Sequence, residues 1–68
     1  VSELRRLGKK LAQCRVGAGI TQEKAAERAG ITLRFYQDLE AGKKAPSYLT
    51  LRRLAGAYRI KSWDELIP

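Results

Sequence analysis

The chain has 68 residues, enough for one small domain near the lower size at which a core holds together without a staple. One cysteine and no histidine exclude an internal disulfide and a Cys/His zinc cluster, so stability must come from helix packing or self-association. Fourteen Lys and Arg against seven Asp and Glu give a net charge of +7, which suits a nucleic-acid partner better than a membrane surface, because no helix pairs a broad apolar face with an all-basic one. The plainer reading of that charge is solubility alone.

Apolar residues recur with a helical period throughout, and no segment alternates as a strand would, so the expected class is all-α. A first helix is expected from about Ser2 to Val16, with Leu4, Leu7, Leu11 and Cys14 on one stripe. Gly8 costs that helix stability relative to alanine, which points to a close helix approach. Cys14 stands where a core leucine would serve and has no base partner. Gly17-Ala18-Gly19 marks a turn. Thr21 is the N-cap of a second helix, with Glu23 in its first turn complementing the dipole. Ala25, Ala26 and Ala29 form a narrow face on which a third helix can lie close, and Gly30 supplies a left-handed end.

Thr32 caps that third helix, expected over about 32–41, with Ile31, Tyr36 and Leu39 facing inward. Gly42 to Pro46 forms a basic loop. Ser47 caps a fourth helix whose inner face is Leu51, Leu54, Ala55 and Tyr58. Arg59 to Lys61 is a further turn, and Ser62-Trp63-Asp64-Glu65 reads as a capping box opening a short fifth helix. Trp63, Leu66, Ile67 and Pro68 make a greasy end, read either as a cap on the core or as a self-association surface. One domain over residues 1–68 is expected. No apolar run approaches the roughly 20 residues of a membrane span, the start does not read as a signal peptide, and one free thiol suits a reducing cytoplasm.

Two short helices joined at Gly30 and followed by a basic loop have the layout of a helix-turn-helix. From Leu7-Gly8-Lys9-Lys10-Leu11 and Arg15, through Gly19-Ile20-Thr21-Gln22-Glu23, Ala26, Ala29-Gly30 and Leu39-Glu40-Ala41-Gly42-Lys43, to Pro46-Ser47, Thr50-Leu51, Leu54-Ala55 and Asp64-Glu65-Leu66, the chain resembles the phage-repressor-like helix-turn-helix family, the Cro and lambda-repressor or XRE type. The resemblance implies a compact five-helix, lambda-repressor-like DNA-binding domain with the helix-turn-helix formed by helices 2 and 3. It also implies a sequence-specific transcriptional regulator of a bacterium or phage, a repressor working as a homodimer on two operator half-sites in the cytoplasm. An antitoxin or a restriction-modification controller binding its own operator fits nearly as well.

The candidate DNA contacts lie on and around helix 3. Leu33, Arg34, Gln37, Asp38 and Ala41 face away from Ile31, Tyr36 and Leu39, and Leu33 and Arg34 sit near the N-terminus, from which base edges are reached. Arg34 either donates a bidentate pair to guanine O6 and N7 or holds a phosphate. Leu33 offers only an apolar contact to a thymine methyl. Phe35 lies between core and groove, and Asp38 either accepts from a cytosine amine or repels wrong sequences. Thr32 borders the same surface. The resemblance gives Gln22 a phosphate contact and a buttressing role, and a helix N-terminus favours the former on its own. Lys43, Lys44 and Ser47 at the start of helix 4 make a second phosphate clamp, widened by Lys9, Lys10, Arg52 and Arg53.

Arg15 and Glu40 align with a family ion pair that sets the angle of the recognition helix. Where the family usually has a leucine and an isoleucine this chain has Ala25 and Tyr36, so the ring is expected to fill the space the alanine leaves. Arg59 replaces the usual glycine after helix 4. An enzyme is disfavoured by inventory: there is no histidine, no metal-ligand cluster and no phosphate-binding glycine loop. No cofactor or metal is expected. A protein-interaction module that keeps the fold should have lost its positive charge around helix 3, whereas Arg34, Lys43 and Lys44 are all present.

Overall fold

The computed structural model describes residues 2–61, which form four helices and no strand: α1 (Glu3–Gly17), α2 (Gln22–Ala29), α3 (Leu33–Glu40) and α4 (Tyr48–Tyr58). The capping box at Ser62, the fifth helix and the apolar end from Trp63 to Pro68 lie outside the described residues.

Each helix starts on a hydroxyl. Ser2, Thr21, Thr32 and Ser47 are extended N-caps whose side-chain oxygens accept from the backbone N–H groups of Leu4, Lys24, Phe35 and Thr50 at 3.0–3.1 Å. Such a cap contributes about 1 kcal/mol relative to alanine, a large term for helices of 8 residues that are marginal alone.

The four helices also end alike. A left-handed residue follows each last turn, and its N–H and that of the residue after it fold back onto the helix's open carbonyls. At the end of α3, Gly42 N donates to the Leu39 carbonyl at 3.2 Å and Lys43 N to that of Asp38 at 2.9 Å. After α4 the same bonds run from Arg59 to Gly56 and from Ile60 to Ala55, with Arg59 at φ 61° in the place of a glycine.

The core gathers on the alanine face of α2. Leu11, Tyr36, Leu39 and Leu54 are its largest fully buried side chains, with Ala25, Ala26 and Ala29 among them. Small residues let α2 lie close against both α3 and α4, while α1 packs on α3. Tyr36 and Ala25 are both fully buried in this one cluster. Cys14 is half-buried against the same core. Gly8 is where α1 meets the end of α3. A methyl group there would come within 2.7 Å of the Leu39 carbonyl oxygen and closer still to that of Glu40.

Candidate nucleic-acid interface

The turn Gly30-Ile31-Thr32 joins α2 to α3. Gly30 takes the left-handed conformation at φ 71°, Ile31 packs on the core, and Thr32 opens α3. One face of α3 is thereby committed inward through Tyr36 and Leu39. Leu33, Arg34, Gln37 and Ala41 remain exposed on the other, with the Arg34 side chain 82% accessible. Phe35 is half-buried against the core.

Asp38 shares the outward face with Arg34 but, unlike it, is not exposed there. It is buried, its carboxylate lying between two cations: Arg34 Nε at 3.5 Å from Oδ1 and Lys44 Nζ at 3.6 Å from Oδ2. Arg34 sits one turn earlier on the helix, and the loop that reverses at Gly42 brings Lys44 back over the helix end. Lys44 also stands 5.9 Å from the centre of the Phe35 ring, within the range of a weak cation–π contact.

The remaining candidates ring this face. Lys43 is exposed and makes no ion pair with a described residue. The Ser47 hydroxyl donates to Thr50 Oγ1 at 3.0 Å and accepts from Thr50 N, so an anion at the start of α4 would meet backbone N–H groups instead. Thr32 likewise accepts within the protein, from Phe35 N. Lys9, Arg52 and Arg53 are exposed and Lys10 is half-buried.

Behind α3, Glu40 gathers all four helices. Its Oε2 accepts from Arg15 Nε of α1 at 2.7 Å and from the Tyr36 hydroxyl at 2.5 Å, and its Oε1 accepts from Gln22 Nε2 of α2 at 2.9 Å. The Tyr36 hydroxyl, its hydrogen given to Glu40, accepts in turn from Tyr58 of α4 at 2.6 Å. Arg15 Nη1 continues to the Ile20 carbonyl at 3.0 Å. Burial by itself pushes the Glu40 carboxyl up. The bonds from Arg15, Tyr36 and Gln22 outweigh it and hold the group below the usual carboxylate range. Burial first, and then the bond to Glu40, pushes the Tyr36 hydroxyl far up; burial does the same to Tyr58. Both tyrosines therefore stay protonated as donors.

Gln22 occupies the pivot of this arrangement. Its nitrogen serves Glu40, and its oxygen faces Gln37 Nε2 at 3.4 Å. An amide nitrogen carries two hydrogens, so one remains for an anion at the N-terminus of α2. The whole is an exposed face of α3, carrying Arg34 and bordered by Lys43 and Lys44, on a helix tied from beneath by a carboxylate taking three donors.

Sequence reasoning placed Arg15 with Glu40 but missed both tyrosine hydroxyls and the Arg34–Asp38–Lys44 cluster. The spacing Tyr36–Glu40, and again Arg34–Asp38, is i,i+4 on one helix face and was available as a signal. Nothing local marks Tyr58 or Lys44, whose contacts depend on how the chain returns.

Comparison with known proteins bears on the same residues. The helix-turn-helix family profile matches residues 11–66. An uncharacterised HTH-type transcriptional regulator of Sinorhizobium fredii is 31% identical over 67 residues, covering 97% of this chain and 87% of that one. The crystal structure of the restriction-modification controller protein C.AhdI from Aeromonas hydrophila superposes with a TM-score of 0.89 at 28% identity, over 94% of this chain and 91% of that one.

Proposed function

The chain belongs to the helix-turn-helix family, and on that premise we propose that it regulates transcription by binding double-stranded DNA in a sequence-specific manner. The observation that carries this reading is the exposed Leu33–Arg34–Gln37 face of α3, backed by the Glu40 node that fixes its direction. α3 enters the major groove, Gln22 and Lys43 in the basic loop grip the flanking phosphates, and base contacts from α3 supply the sequence preference. The unit is one all-α domain spanning 1–68. It works as a homodimer on two half-sites and acts as a cytoplasmic repressor.

A second reading has its own support. Its structural neighbour in Aeromonas hydrophila is a restriction-modification controller, so this chain acts as such a controller on its own operator. Selection of bound duplexes from a random pool tests both. A regulator enriches one motif, repeated as two half-sites about 10 base pairs apart. No enrichment over the starting pool contradicts the proposal. The controller reading further expects the enriched motif immediately upstream of the protein's own gene, and its absence there removes that reading alone.

A further inference from the structure

We infer that Asp38 is a positioning residue for Arg34: it holds the guanidinium by its Nε edge so that the terminal nitrogens meet a guanine, and it keeps Arg34 and Lys44 from being spent on phosphates of non-operator DNA. The inference rests on the DNA-binding reading above and assigns how α3 obtains its selectivity.

The pair is not there to stabilise the helix. Arg34 lies in the first turn of α3 and Asp38 near its end, and the helix has no acidic residue in its first turn and no basic one in its last. Both charges oppose the helix dipole, and a cation placed N-terminal to its anion is the weaker order for an i,i+4 pair. Exposure is lopsided as well. The carboxylate side chain is 10% accessible, while Arg34 and Lys44 are 82% and 58% accessible. A carboxylate so far removed from water is costly once its cations leave. A docking mode that swings both onto phosphates would strand it beside a polyanion.

The alternative mode keeps the pair. Arg34 approaches Asp38 through Nε, and the bidentate contact to guanine O6 and N7 can be made by the two terminal nitrogens. A guanidinium steadied from behind is already oriented when the guanine arrives, whereas an exposed arginine without a partner must be ordered by the DNA itself. Lys44, held by Asp38 and set against the Phe35 ring, is restrained in the same way.

The test compares binding to the selected operator and to a scrambled duplex of equal length. Asp38→Asn keeps the shape and removes the charge. It should bind the scrambled duplex more tightly with a steeper salt dependence, while its operator-to-scrambled ratio falls by at least about fivefold. In an Arg34→Ala background the same change should cost no further discrimination. Equal weakening on both duplexes, or an unchanged loss of discrimination without Arg34, overturns the inference. Arg34→Lys gives an independent reading: Asp38→Asn in that background should cost less discrimination than in the unaltered protein, since an ammonium has no Nε edge for Asp38 to hold. An equal cost in both backgrounds also overturns it. If the unaltered protein fails to prefer operator over scrambled DNA, the DNA-reading premise falls instead.

Discussion

At the scale of single residues, Glu40 holds the end of α3 in place. Three donors from three helices converge on its carboxylate, so losing either Arg15 or Glu40 removes the side-chain tie between α1 and the end of α3. Arg15→Ala and Glu40→Ala should each weaken operator binding, and the double variant should lose clearly less than the sum. Losses that add within about 0.5 kcal/mol would mean the two act separately. Arg59 presents the opposite case, a residue that fits its site poorly. A left-handed backbone costs an L-residue roughly 1–2 kcal/mol, and glycine escapes that cost. Part of the gain is offset by glycine's greater freedom in the unfolded chain. Arg59→Gly should therefore raise the melting temperature by a few degrees, up to about 4–8 °C if the net gain reaches 1 kcal/mol. An unchanged or lower midpoint would show that the arginine side chain has its own role there.

At the scale of elements, what could be read from the sequence divides along local and non-local lines. The four described helices, and the caps at Thr21, Gly30, Thr32 and Ser47, were legible because capping is local: a hydroxyl bonds a backbone N–H three residues on, and Gly30 ends α2 in place. The expected span of α3, about 32–41, differs from Leu33–Glu40 only because the capping residues at its two ends were counted in. Asp38 was misplaced for a tertiary reason. Periodicity sets it away from Tyr36 and Leu39, but it cannot show that the loop after Gly42 doubles back and brings Lys44 over it. The tyrosine pair was invisible for the same reason, since Tyr36 and Tyr58 meet only once α3 and α4 have both settled on α2. Gly8 shows the reverse, a local anomaly that carried tertiary information. In an isolated helix Gly8→Ala would add about 1 kcal/mol of stability. Against the Leu39 and Glu40 carbonyls it should instead destabilise by about 1–3 kcal/mol. Denaturant unfolding checks this, and a stabilised variant would mean that α1 and the end of α3 have room to part.

At the scale of the whole molecule, internal pairing removes the negative charges nearest the α3 face and leaves the positive ones in water. Glu40 is satisfied by Arg15, and Asp38 is covered by Arg34 and Lys44. Lys43, Arg52 and Arg53 stay exposed. A net charge of +7 on 68 residues thus presents a cationic surface to a polyanion. The central claim is that this surface binds DNA and that α3 reads it. Equilibrium binding to the selected operator across a salt series tests it most directly, with a scrambled duplex measured alongside. Counterion release from roughly 3 to 5 phosphate contacts per subunit predicts a log–log slope of about −5 to −9 for a dimer. Lys43→Ala should make that slope shallower by about one unit. The operator should remain at least about a thousandfold tighter than the scrambled duplex. A flat salt response at low ionic strength, or equal affinity for the two duplexes, would contradict the account.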